Sequence, residues 1–168
     1  GQAFLPATFK GMASKQENFE QCQLFGIDFD EEPDYEKIKR KFADYHLPIV
    51  FSYHTFSSTP EHPKYRIILC HIVPITEKWL ADMILKMLKK MFPEADKHCF
   101  ETARLFYGGK GLIDFNDVVA ETGENTFNVY NLVMQFEKFL YTNDKKNFSR
   151  NIRVFAHKYQ IGLSNNHF

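Results

Sequence analysis

The sequence predicts an α+β domain on the ferredoxin-like plan of strand, helix, strand, strand, helix, strand, the plan shared by RNA-recognition-type sheets. Three observations carry this. Apolar, strand-like runs recur at 23–29, 47–55, 65–73 and 102–107. The stretches after the first and third of them are amphipathic at helical spacing. The second and third are joined by the loop 57–63, with Pro60 and Pro63, as a long hairpin. In this plan both helices cover one sheet face and leave the other open.

Each element has its own signal. Residues 1–20 form an extension in which Phe4, Leu5 and Phe9 suggest short extended segments, while Lys10 and Lys15 read as solvated lysines or as phosphate contacts. Gln23 to Ile27 reads as a buried strand. Pro33 suits a helix start, and Tyr35, Ile38, Phe42 and Tyr45 give that helix an apolar stripe with lysines between. Leu47 to Thr55 is the second strand. Tyr65 to Val73 is the third, ended by Pro74. Thr76 is the expected N-cap of the second helix, whose stripe is Leu80, Met83, Ile84, Met87, Leu88 and Met91. The methionines read as core filler. Pro93 stops this helix, and 102–107 is the fourth strand, closed by Gly108 and Gly109. The core thus spans 1–110. Residues 111–168 read as a helical appendage of the same domain, with helices around Val129–Leu140 and Phe148–Phe155.

The composition bounds the function. At 168 residues, with 44% hydrophobic and 25% charged, the chain is long enough to bury a core. A formal net charge of zero argues against binding driven by charge alone. Three cysteines, Cys22, Cys70 and Cys99, lack metal or disulfide spacing and suggest reduced thiols and a cytoplasmic, intracellular setting. No apolar run approaches the ~20 residues that span a bilayer.

The chemistry centres on Gly26-Ile27-Asp28-Phe29-Asp30. Alternation puts Asp28 and Asp30 on one strand face, about 7 Å apart. Two such carboxylates repel unless a positive group lies between them, and divalent metal ions are the usual answer. On this view, removing one acid leaves stability unchanged or raises it. In the ferredoxin-like plan the fourth strand runs antiparallel to the first, which brings Asp96 beside Asp28 and Asp30. Asp114 lies beyond the far end of that strand and is the rival third acid. Ser52 and His54 share one face of the second strand. Arg66 and Arg104 are the arginines expected on the open face, where a guanidinium suits phosphate.

These residues resemble, in order, the three motifs of the archaeo-eukaryotic primase superfamily: Asp28-Phe29-Asp30, Ser52-Tyr53-His54 and Ala95-Asp96. Residues 56–66 and 96–109 look like stretches of primase-like replication proteins of plasmids, phages and integrated elements. The resemblance covers roughly residues 20–110. It implies a DNA primase or polymerase, a nucleotidyltransferase using two Mg²⁺ or Mn²⁺ ions held by Asp28, Asp30 and Asp96. One ion would activate the 3′-hydroxyl and the other would steady the triphosphate. Ser52, His54, Arg66 and Arg104 would bind the incoming NTP or dNTP. The implied partners are a DNA template and primer, and a helicase in the same or another chain.

Two other classes stay open. A rolling-circle replication nuclease shares the sheet, but it would want paired histidines and a helical tyrosine. A non-catalytic RNA-recognition-type module would present aromatics on the open face, where this sequence places acids.

Overall fold

The computed structural model describes residues 2–11, 15–32, 34–119 and 121–159. The fold is α+β. Its elements are β1 (Ala3–Phe4), β2 (Ala7–Phe9), a 3-10 turn (Gln16–Asn18), β3 (Phe19–Phe29), α1 (Tyr35–Asp44), β4 (Phe51–Thr55), β5 (Tyr65–Ile75), α2 (Lys78–Met91), β6 (Phe106–Tyr107), β7 (Gly109–Phe115), α3 (Val129–Asn143) and α4 (Phe148–Tyr159). The main sheet runs β2-β3-β5-β4-β7, with every neighbouring pair antiparallel. β1 and β6 form a separate two-stranded sheet.

From β3 to α2 the order follows the sequence reading; the fourth strand departs from it. Residues 102–105 are not a strand: 102 and 103 turn, with Arg104 N–H donating to the Glu101 carbonyl at 3.1 Å. Only Phe106 and Tyr107 extend, and they pair with β1. The place beside β3 goes to β2, so the N-terminal extension is part of the sheet. The chain then runs along β4 as β7, and the expected boundary at 110/111 falls inside that strand. Glycines read as a strand end are what permit this approach. A Cβ on Gly109 would fall on the His54 carbonyl oxygen and the Tyr53 ring. Two register shifts accommodate the pairing of β4 with β7.

Smaller differences have local causes. β5 continues through Pro74, where residues 72–74 are exposed and the β3–β5 ladder is irregular, a setting that tolerates a missing N–H. α2 starts after Glu77 and no side chain caps it, so Thr76 is not its N-cap. Asp34 caps α1 by accepting from Lys37 N–H at 2.9 Å; Pro33 lies outside the described residues.

Strand alternation divides the side chains between two faces. Phe25, Ile27 and Phe29 pair across from Leu69, Ile67 and Tyr65, and all six are buried in one core with α1 and α2. Phe29 stacks on Tyr65 at 5.2 Å and meets Phe42 of α1 edge-on. Met83, Met87 and Met91 of α2 are buried core residues, as expected. α3 packs on α2 and α4 on both. His71 clips this helical layer to the sheet: its Nε2 accepts from Val129 N–H at 3.1 Å, and burial holds its pKa below the ordinary value. All three cysteines are buried and free, and burial pushes the Cys22 and Cys99 thiols up to about 12. No described helix is long and apolar enough to cross a membrane.

The other face carries Gly26, Asp28, Arg66, Ile68, Phe51 and Tyr53, and it is only partly open. Phe106 lies over Gly26, close enough that a Cβ on residue 26 would come within 2.8 Å of its ring. Phe4 packs on Phe106 from the partner strand. The small sheet therefore plugs the middle of the face and leaves openings on either side. Gly26→Ala should force the Phe106 ring off its seat and lower unfolding stability by about 1–3 kcal/mol, the usual cost of overpacking. Thermal or urea melting checks this, and an unchanged midpoint would mean that the ring gives way freely.

Candidate functional site

Asp28 stands at the end of β3, directly across from Arg66 on β5. The two form a bidentate pair: Arg66 Nε donates to Asp28 Oδ1, and Nη2 donates to Oδ2 at 3.0 Å. The remaining nitrogen, Nη1, donates to the Tyr53 hydroxyl at 2.7 Å and to the Tyr107 carbonyl at 2.6 Å. The guanidinium carbon lies 4.3 Å from the centre of the Phe106 ring. Both charged residues are buried, 5% and 7% exposed. Burial pushes the Asp28 carboxyl above its ordinary value, and the hydrogen bonds and charge of Arg66 pull against that push. The positive group beside Asp28 is thus a side chain of the protein.

Asp96 is where the sequence placed it, by a different route. The loop after α2 crosses the end of β3, and Asp96 N–H donates to the Asp28 carbonyl at 2.8 Å. No fourth strand is involved. Asp96 Oδ1 accepts from His98 N–H at 3.0 Å. Asp30, just past the strand, is exposed, with Oδ2 3.8 Å from Lys64 Nζ. Asp28, Asp30, Asp96, Arg66 and Arg104 all line one pocket of about 410 Å³, a volume within the range of small-molecule sites. Arg104 Nε is buried and has no hydrogen-bond partner. Its guanidinium makes no ion pair among the described residues, whereas that of Arg66 is engaged at every nitrogen. Of the two arginines, Arg104 is the one free to meet an anion.

Three predicted residues lie elsewhere. Ser52 pairs across from Ile67 and His54 from Tyr65, so both share the parity of the helix-covered face. Ser52 Oγ is 2.6 Å from the Tyr35 hydroxyl of α1. The same hydroxyl donates to Asp114 Oδ2 at 2.6 Å, and Lys39 Nζ completes the cluster at 2.7 Å from that oxygen. Burial alone would raise the Asp114 carboxyl, but the Lys39 ammonium and the Tyr35 hydroxyl bring it below its ordinary value. Asp114 therefore ties β7 to α1, on the face opposite Asp28. His54 is exposed, with Nδ1 3.4 Å from Ser58 Oγ, and is not among the side chains lining the acidic pocket. His54 pairs with Tyr65, which on its other side pairs with Phe29, so it stands level with the end of β3; the sheet face alone separates it from Asp28.

The expected metal set can be tested on these contacts. Both Asp28 oxygens are held by Arg66, and one Asp96 oxygen by a backbone N–H. Among the described residues no group of three His, Cys, Asp or Glu side chains is arranged to hold a metal ion. As they stand, the three carboxylates do not fit a two-ion centre. Asp30 and Asp96 are the two with oxygen atoms to spare. Comparison of the chain with protein-family models, with curated proteins and with solved structures returns no match.

The sequence reading missed the two aromatics at this pocket, Phe56 and Tyr107. Their signal was present, since Phe56 opens the stretch 56–66 and Tyr107 lies within 96–109, the two stretches singled out above, yet neither was given a role. It also expected removal of an acid to leave stability intact; for Asp28 the Arg66 pair reverses this, because the guanidinium would be left buried and unpaired.

Arg66→Met should destabilise the fold by about 3–5 kcal/mol, the usual cost of breaking a buried pair. Without Arg66, burial raises the Asp28 pKa further above its unfolded value. The folded state then prefers the protonated acid, so stability is retained below the unfolded pKa and lost as pH rises through the folded one. Denaturant unfolding of the variant and the parent should show a smaller gap at pH 4 than at pH 7. An equal gap at both would mean that Asp28 does not depend on Arg66.

Proposed function

We propose that this chain is a nucleotidyltransferase acting on nucleic acid, a DNA primase or polymerase of the kind its motifs resemble, working in replication of a plasmid, phage or other mobile element. The observation that supports this is the convergence of Asp30, Asp96 and Arg104 on one pocket, with Asp28 and Arg66 forming its wall. A nucleoside triphosphate has the charge such a pocket would take. Arg104 would neutralise phosphate oxygens by paired N–H donors. Mg²⁺ or Mn²⁺ belongs to the proposal: bound at Asp30 and Asp96, it would supply charge that steadies the leaving pyrophosphate.

Asp28 is in this reading a positioning residue. Its carboxylate holds Arg66, and Arg66 holds the Tyr107 backbone at the pocket rim. Ser52, His54 and Asp114 take no part in phosphate binding. The template strand would lie along the β4–β7 side of the same face. There a shallow groove is lined by Phe4, Phe51, Tyr53, Lys110 and Leu112. Phe51 and Tyr53 stack at 6.1 Å, and Leu112 is 63% exposed, features that suit the sequence-tolerant stacking of single strands.

One observation favours a second reading. Because Arg66 satisfies Asp28 without any metal, the domain would also serve as a nucleotide- or nucleic-acid-binding module with no chemistry of its own. The rolling-circle nuclease has less support, since no second histidine accompanies His54 on β4.

Asn at 96 keeps the oxygen that caps the turn, and Asp30 is exposed, so Asp96→Asn and Asp30→Asn should fold normally. In primer extension with Mn²⁺ each should lose at least a hundredfold in rate. Asp114→Asn should stay within a few-fold of the parent, since it loses only the Lys39 contact. Incorporation that survives both Asp96→Asn and Asp30→Asn would end the enzymatic reading. Nucleotide binding with no incorporation by the parent would favour the binding module.

A further inference from the structure

We propose, on the nucleotide-binding reading above, that Phe56 and Tyr107 are the base-stacking residues of the acidic pocket, holding the base of a nucleotide whose phosphate lies toward Arg104. Both side chains line the pocket that holds Asp96 and Arg104, yet they are 48% and 61% exposed. A single exposed aromatic needs no explanation. Two on the rim of one charged pocket are a different matter.

Their backbones are fixed. Tyr107 pairs with Ala3 in the small sheet, and its carbonyl accepts from Arg66. Phe56 directly follows β4, in a turn closed by Ser58 N–H on the Thr55 carbonyl at 3.1 Å. Phe56 reaches the residue that follows Tyr107: its ring comes within 3.9 Å of the point where a Cβ on residue 108 would stand. Rings anchored this way lose little freedom when a flat partner settles on them.

The pocket therefore offers two kinds of contact. One is an apolar rim suited to a planar ring. The other is a free guanidinium, Arg104, whose Nε is buried without a partner. A planar aromatic alone would leave Arg104 unanswered, and an inorganic polyphosphate would leave both rings in water. A nucleotide satisfies both, with its base on the rim and its phosphates toward Arg104. The rim also explains the placement of Arg66, which holds the Tyr107 backbone while its charge is cancelled by Asp28.

The test is calorimetric titration of the whole chain, with Mg²⁺ present, using ATP, inorganic tripolyphosphate and a single-stranded oligonucleotide in turn. Phe56→Ala and Tyr107→Ala should each weaken ATP binding about tenfold, within the range for loss of one base–aromatic stack, and leave tripolyphosphate binding unchanged. Tyr107→Trp should keep ATP affinity. Arg104→Met should weaken both small ligands. If the parent binds ATP and both alanine variants bind it equally well, the stacking proposal is overturned while the nucleotide reading stands. If the variants lose only oligonucleotide affinity, the rim serves a nucleic-acid strand and the proposal is likewise overturned. If the parent binds neither ATP nor tripolyphosphate, the nucleotide reading falls and the proposal with it.

Discussion

The buried pair of Asp28 and Arg66 is the constraint on which the rest of the site depends. Taking two opposite charges out of water is costly, and the cost is offset only when geometry is good and every donor is used. Here every guanidinium nitrogen is engaged. The bidentate contact uses two of the five N–H groups, and Tyr53 and the Tyr107 carbonyl take two more. The pair thus joins four strands: β3 through Asp28, β5 through Arg66, β4 through Tyr53 and β6 through Tyr107. The small sheet of β1 and β6 is held against the main sheet by this contact and by Phe106 seated over Gly26. The pocket exists because the small sheet stops there.

This arrangement divides the charge of the site. Asp28 and Arg66 cancel each other and are spent on structure. Asp30, Asp96 and Arg104 are left facing the pocket, with Lys64 3.8 Å from Asp30, and in the proposed reading they meet the ligand. The helix-covered face has a matching but separate cluster, in which Tyr35 and Lys39 satisfy Asp114 beside Ser52. The two clusters resemble each other in the sequence, since both are acids near strand ends. Partner identity separates them: a helix supplies the partners of Asp114, and the sheet itself supplies that of Asp28.

Much of this was legible in the sequence, unevenly. Period-2 alternation at Phe25, Ile27 and Phe29 fixed which face Asp28 takes, and helical spacing located α1 and α2 closely. The neighbourhood of Asp96 and Asp28 was foreseen from a strand pairing that does not occur; a loop crossing brings them together instead. The misplacement of the fourth strand has a physical source. Gly108, Gly109 and Gly111 signal a turn by composition, but here the missing Cβ lets β7 pass against the His54 carbonyl. Cross-strand partners were beyond reach, because register depends on where each hairpin closes. So Arg66 was seen as a phosphate ligand when it is the partner of Asp28, and Ser52 and His54 were grouped with the acids when they belong to the opposite face. Long-range pairing by β1 and β2 could not be read from two and three residues.

The most direct test of this account is a double-mutant cycle on Asp28 and Arg66, read by denaturant unfolding at pH 7. Asp28→Asn, Arg66→Met and the double variant are compared with the parent. If the pair is the constraint described, each single change is severe and the double change costs well under their sum, with a coupling energy above about 2 kcal/mol. Additive costs, within about 0.5 kcal/mol, would contradict it: Asp28 would then be independent of Arg66 and free to serve as a metal ligand in its own right.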